Sequence, residues 1–218
     1  MAQLITGLEP ARVRANLERV REDIASTGGD PAEVQVLAAV KYLAAEELGV
    51  LAEAGIQLVG ENRAQELERK ATAWDGRADL TWDFIGHLQS RKVKQVLPFV
   101  RYIHSVASDS VLRELGRHGT PETEVLVEVN VAGEEGKSGI APAELDDFIA
   151  RCPVEVVGLM TMPPLAEEPE QSRPWLAALA ELAAERGLRE LSMGTSQDYS
   201  VAVQEGATII RLGTVLYR

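Results

Sequence analysis

Eight short apolar runs alternate along this chain with amphipathic segments, and that alternation restricts the fold more than any other feature. The strand-like runs are Val34–Val40, Gln57–Val59, Leu80–Ile85, Val100–Val106, Glu124–Asn130, Glu155–Met160, Arg189–Met193 and Thr208–Leu212. Helical periodicity fills the intervals at 44–54, 62–74, 89–97, 108–118, 142–151, 170–187 and 198–205. Ahead of them all, Pro10 opens a pattern of Val13, Leu17, Val20 and Ile24 that stops at Gly28-Gly29, which predicts a helix over about 10–27. Ser108-Asp109 and the Ser196–Asp198 stretch supply helix caps.

Strands separated by helices pair in parallel through right-handed crossovers. The choice is then an open doubly wound sheet or a closed barrel. No Gly-x-Gly-x-x-Gly follows the first strand, so the dinucleotide fingerprint of the open sheet is missing. After the eighth strand only Gly213–Arg218 remain, too few for a closing helix, and the leading helix can cover that gap. The expectation is an α/β fold: a single (β/α)8 TIM-type barrel with an extra N-terminal helix, one domain over residues 1–218 without a linker.

Composition removes several function classes. Lysine and arginine number 22 against 34 acidic residues, a net charge of −12, which argues against a nucleic-acid surface and an anionic membrane. The single cysteine, Cys152, excludes an intramolecular disulfide and a cysteine-rich zinc site, and beside Pro153 it reads as a half-buried structural thiol. MAQLITGLEPARVRANLERV has no basic start followed by an apolar run, and no stretch approaches the ~18 apolar residues of a membrane span. A soluble cytoplasmic protein is the expectation.

Barrel active sites lie where the strands end. The residues there are Lys41, Glu61-Asn62, Gly86-His87, Ser105, Asn130, Thr161, Gly194-Thr195-Ser196 and Gly213-Thr214, a polar set at one rim. Of five lysines, Lys70, Lys92, Lys94 and Lys137 read as ordinary surface residues, whereas Lys41 directly follows VQVLAAV. Lys41 is either an amine snorkelling to water over an apolar stem or a desolvated Schiff-base nucleophile. MGTS after strand seven and LGT after strand eight occupy the loops that commonly bind phosphate in barrels, where glycine admits backbone N–H groups and hydroxyls donate. A phosphate-bearing aldehyde or ketone is therefore a reasonable ligand. Arg211, within TIIRLGT, either faces a ligand in the barrel or pairs with a buried carboxylate. His87 and Asn62 are candidate supporting hydrogen bonders, and EEGKSG (134–139) lacks P-loop spacing and reads as a flexible turn.

Taken in order, AAVKY, VGENRAQEL, WDFIGHLQSRK, VNVAGEEGKSG, GLMTM, LSMGTSQDY and IIRLGT closely resemble the YggS/PROSC family of pyridoxal-phosphate homeostasis proteins, from about residue 10 to residue 218. That family resembles the N-terminal barrel of alanine racemase without its second, β-rich domain. The resemblance implies pyridoxal 5'-phosphate held as an internal aldimine on Lys41. It places Asn62 beside the cofactor, puts Gly194, Thr195, Ser196, Gly213 and Thr214 around the phosphate, and sets Arg211 against the pyridine nitrogen. Three departures from the family stand out: Arg91 stands where LQSNK is usual, Gln197 replaces an acidic or small residue after Ser196, and the family's phenylalanine-glycine ending appears as Tyr217-Arg218.

A guanidinium beside the ring nitrogen disfavours its protonation, and an unprotonated ring is a poor electron sink. The resemblance therefore implies a carrier that contributes to cofactor homeostasis and to amino-acid and keto-acid balance, with pyridoxal-phosphate-dependent apo-enzymes as possible recipients. A monomer is expected, because no long apolar helix face is left over. The competing readings are a weak amino-acid racemase and, without the resemblance, a Schiff-base aldolase or sugar-phosphate isomerase.

Overall fold

The computed structural model describes residues 4–74 and 80–218. Among them the eight expected runs become strands β1 (Gln35–Ala39), β2 (Leu58–Glu61), β3 (Thr81–Phe84), β4 (Tyr102–Val106), β5 (Glu124–Glu128), β6 (Glu155–Met160), β7 (Glu190–Ser192) and β8 (Ile209–Leu212). Each pairs in parallel with its sequence neighbours, and β8 returns to β1 with Gln35 opposite Ile209 and Ala38 opposite Leu212, closing the barrel. The expected fold class is the one found.

The helices between the strands are α2 (Leu48–Glu53), α3 (Ala64–Ala73), α4 (Val93–Val96), α5 (Asp109–His118), α6 (Leu145–Ala150), α7 (Arg173–Glu185) and α8 (Tyr199–Gln204). Before α6 and α7 the chain makes short 3-10 turns opened by Pro142 and Pro169, residues suited to a first turn because they have no N–H to satisfy. Ser108 caps α5 as expected, its hydroxyl accepting from Val111 N–H. Asp198 does not cap α8, because its carboxylate turns back to Thr195.

The leading helix α1 (Pro10–Ser26) buries Val13, Leu17, Val20 and Ile24, as its spacing predicts. It packs against α2 and α8. The last residues depart from expectation by forming one helical turn, α9 (Thr214–Tyr217). So short a helix has little stability alone. Here Asn16 of α1 donates to the carbonyls of Leu216 (3.0 Å) and Arg218 (2.9 Å), satisfying groups the turn cannot satisfy itself.

Strand alternation positions the site. Side chains two apart share a face, and Leu37, Leu58, Tyr102, Leu126, Val157, Met160 and Ile209 fill the barrel interior as an apolar layer. Gly60 lets Leu37 pack close: a Cβ there would lie 2.4 Å from Leu37 Cδ2, so a larger residue displaces that side chain. Continuing the inward parity toward the strand ends places His104 beyond Tyr102, Glu128 beyond Leu126 and Arg211 beyond Ile209. These three are buried polar groups stacked on an apolar floor. Among the described residues no helix is long and apolar enough to cross a membrane.

Candidate functional site at the barrel mouth

Arg211 projects into the barrel and, among the described residues, meets no carboxylate at contact distance. Its guanidinium donates from Nη1 to Ser192 Oγ (2.5 Å) and from Nη2 to the Thr161 carbonyl (2.8 Å), with Met162 Sδ at 3.0 Å. The expected alternatives thus resolve toward the interior, and no salt bridge forms among the described residues. Burial lowers the guanidinium to about 10, against the upward pull of Asp198 and Glu128. It remains a cation at neutral pH.

Behind Arg211 runs a hydrogen-bonded chain that crosses the interior. Ser192 Oγ meets His104 Nδ1 at 2.8 Å, and His104 Nε2 meets Asp83 Oδ2 at 3.0 Å. Asp83 is gripped by Arg101 through both oxygens (3.1 and 2.7 Å) and accepts from Tyr102 N–H. Burial pushes the Asp83 carboxyl up, but His104 and Arg101 outweigh it and hold it below the usual range. Burial lowers His104, more than Asp83 raises it, so the imidazole is neutral. The proton positions then follow. Asp83 only accepts, so Nε2 carries the proton; Nδ1 therefore accepts, Ser192 donates to it, and the Ser192 lone pairs face Arg211. A single direction of donation orients the guanidinium.

A testable consequence concerns acid stability. The unfolded chain protonates His104 near pH 6.5, whereas the folded chain does so only at lower pH. The unfolded state thus binds more protons below about pH 6.5, and stability falls on acidification by up to about 1.4 kcal/mol per pH unit. Denaturant titrations between pH 7 and about pH 5 measure this slope, and His104→Gln should flatten it.

The two phosphate-type loops meet as the sequence suggests. Gly213 N–H donates to Ser196 Oγ (3.3 Å), joining the segments after β7 and β8. Gly194 adopts φ +90°, and a Cβ there would lie 2.6 Å from Ala202 Cβ, so this turn requires glycine. A Cβ on Gly213 would meet nothing within 4 Å; the backbone borders open space. Thr195 differs from expectation: its N–H (2.7 Å) and its hydroxyl (3.0 Å) both donate to Asp198 Oδ1. Its donors hold the loop, so among the described residues the hydroxyl protons of Ser196 and of the exposed Thr214 remain the uncommitted donors of the set.

Lys41 stands two residues beyond β1, half-buried, with Nζ 5.2 Å from the Tyr42 ring centroid. It lines a cavity of about 640 Å³ with Asn62, Arg63, Glu66 and Arg69. That volume suits a small ligand. Asn62 Oδ1 is buried and, among the described residues, has no hydrogen-bond partner. A native buried acceptor left in this way calls for a donor from outside the chain. His87 is exposed on a neighbouring groove that Asn62 also borders.

One reading of the lysines is corrected. Lys70 is not a surface residue: its side chain is 1% exposed and pairs with the fully buried Glu61 at 2.7 Å. Ala64, Leu67, Lys70 and Trp74 follow helical spacing, so Lys70 occupies the apolar stripe of α3. That spacing was the available signal. The 134–139 segment forms turns, as its sequence predicts, tied down by side-chain hydrogen bonds. Asn130 brackets it by donating to the Glu134 carbonyl and accepting from Glu134 N–H, and Ser138 donates to Glu128 (2.6 Å). This segment borders a second rim cavity of about 570 Å³, shared with Met162, Thr195 and Asp198. Cys152 is half-buried, and burial raises its thiol, as a structural cysteine requires.

The alanine racemase N-terminal domain family matches residues 8–218. The chain is 38% identical over 219 residues to the pyridoxal phosphate homeostasis protein of Aquifex aeolicus, covering 94% of this chain and 96% of that one. It is 37% identical to the protein of the same name from Pseudomonas aeruginosa, with 91% and 90% covered. Among solved structures it is similar to PipY of Synechococcus elongatus PCC7942 with PLP bound: TM-score 0.80, 31% identity, 94% of this chain and 100% of that chain. Alanine racemase from Corynebacterium glutamicum shares the fold at TM-score 0.71 and 13% identity, with all of this chain covering 63% of that one.

Proposed function

Since the chain belongs to the alanine racemase N-terminal domain family, and within it to the pyridoxal phosphate homeostasis proteins, we propose that it holds pyridoxal 5'-phosphate at the barrel mouth as a carrier in intracellular cofactor homeostasis. The observation that carries this reading is the shared cavity of Lys41 and Asn62, lined by an amine-bearing residue and by one whose buried amide oxygen has, among the described residues, no hydrogen-bond partner. Lys41 is the covalent anchor and Asn62 a hydrogen-bonding neighbour. Ser196, Gly213 and Thr214 receive the phosphate, with Gly194 and Thr195 shaping the loop.

Bound there, pyridoxal phosphate would supply an aldehyde to an amine and, with its ring nitrogen protonated, an electron sink. Arg211 works against that protonation. It is a cation held rigidly by Ser192 and Thr161, and a cation beside the ring nitrogen repels a second proton. This favours storage and delivery over turnover. The proposal includes one domain over 1–218, a monomer in the cytoplasm, and cofactor transfer to apo-enzymes that require it. The monomer is supported by where the large exposed apolar side chains lie: Leu4 and Tyr42 border the Lys41 cavity, and Met162 and Leu165 border the second one.

The test compares pyridoxal phosphate with pyridoxal by equilibrium dialysis. Ser196→Ala and Thr214→Val should each weaken retention of the phosphorylated form by about 1.5–3 kcal/mol, the worth of a hydrogen bond to a charged group. Pyridoxal should be held far less tightly and be insensitive to both substitutions. Equal retention of the two forms removes the phosphate site from this reading. Exchange of the alanine α-proton in deuterium oxide at about 1 s⁻¹ or faster would replace the carrier with a racemase.

A further inference from the structure

Beneath Lys41 lies an ion pair that costs more than its role in packing explains. Lys70 Nζ and Glu61 Oε2 are 2.7 Å apart, with side-chain exposures of 1% and 0%. Desolvating two charges offsets most of their attraction, so such a pair is a poor device for stability alone. Its remaining bonds show what it holds. Lys70 Nζ donates to the carbonyl of Val40 (2.5 Å), the residue before Lys41. Glu61 Oε1 accepts from the N–H of Asn62 (2.8 Å).

These bonds bridge a gap in the barrel wall. The β1–β2 ladder ends where Val40 N–H donates to the Gly60 carbonyl (2.9 Å). Beyond that point the two segments turn separately onto the rim, and strand pairing no longer sets the distance between them. The path Val40 C=O to Lys70 to Glu61 to Asn62 N–H restores a fixed separation one residue below Lys41. Nearby, Tyr217 donates to the Ala39 carbonyl (3.2 Å), tying the preceding residue to α9. Neither Lys70 nor Glu61 lines the Lys41 cavity.

We infer that Lys70 and Glu61 are positioning residues, which set the spacing between the Lys41 amine and the Asn62 side chain and thereby the rate at which the site captures pyridoxal phosphate. This rests on the cofactor role proposed above. Preorganisation of this kind acts on rate through geometry, and a displacement of about 1 Å at a reacting group can cost on the order of a hundredfold.

The experiment separates geometry from stability. Lys70→Met leaves Glu61 buried and unpaired and should lower the unfolding midpoint. Glu61→Met combined with Lys70→Met removes both charges and keeps the volume, so its midpoint should return toward that of the natural protein. Capture at Lys41 is read by timed borohydride reduction and peptide mass spectrometry. The double variant should capture about tenfold to a hundredfold more slowly despite its recovered stability. Capture at the natural rate would overturn the inference, leaving the pair a packing feature. Failure of the natural protein to be trapped at Lys41 would instead defeat the cofactor reading. Hydrogen exchange on the natural protein gives an answer even if the double variant does not fold. The Asn62 amide should be strongly protected although it lies outside the strand ladder, and exchange at the rate of an unprotected amide would overturn the inference.

Discussion

Lys41→Ala should abolish covalent capture of pyridoxal phosphate while leaving the barrel folded. The side chain is half-buried and stands beyond the end of β1, so its removal opens no cavity in the core. The loss in stability should stay within about 1 kcal/mol, the worth of its contact with the Tyr42 ring. The other described lysines are poorly placed to substitute. Lys70 spends its amine on Glu61 and the Val40 carbonyl, Lys92 donates to Gln95, Lys137 pairs with Glu134, and Lys94 is exposed on α4 and does not line the Lys41 cavity. Borohydride reduction of the loaded protein, followed by peptide mapping, should label Lys41 in the natural protein and nothing in the variant. A label that persists identifies another amine and refutes the reading of the first strand's end.

Asp83→Ala carries the largest expected cost in stability. The carboxylate is fully buried and neutralises Arg101, receives the His104 proton and accepts from Tyr102 N–H. Arg101 is 28% exposed and can turn to water, but the buried His104 Nε2–H and Tyr102 N–H lose their acceptor at about 1–3 kcal/mol each, so a cost of about 3–5 kcal/mol is expected. For a chain of this size each kcal/mol lowers the melting temperature by about 2–4 °C, so a fall of roughly 10 °C is expected. The effect should also reach the mouth. Without an acceptor at Nε2, His104 no longer has a fixed tautomer, Ser192 loses its reason to donate in one direction, and Arg211 loses its orientation. Urea unfolding measures the first effect and retention of pyridoxal phosphate the second. A change below about 1 kcal/mol would mean the chain from Arg101 to Arg211 is not held by its charges.

Much of the rim was legible because a barrel places whatever follows each strand at the same face. Lys41, Asn62, Ser196 and Gly213 needed only correct strand ends, and those ends are marked locally by apolar runs giving way to Gly, Asn, Ser and Thr. Thr195 shows the limit of that logic. Its residue type suits an anion, yet Asp198 three positions later takes both of its donors. Composition cannot say which of two neighbouring polar groups will face the ligand.

The sequence by itself determined the order of strands and helices, their parallel pairing and the polar rim, because periods of 2 and 3.6 residues are local properties that survive any docking geometry. Tertiary structure alone decided which charges are buried together. Lys70 sits in an apolar stripe that any amphipathic helix presents, and only the docking of α3 against the ends of β1 and β2 brings Glu61 to meet it. Asp83, His104, Ser192 and Arg211 come from four different strands, and the inward parity of each depends on barrel register rather than on its own neighbours. A pairwise contact across a closed sheet is fixed by shear and closure, which no single segment encodes.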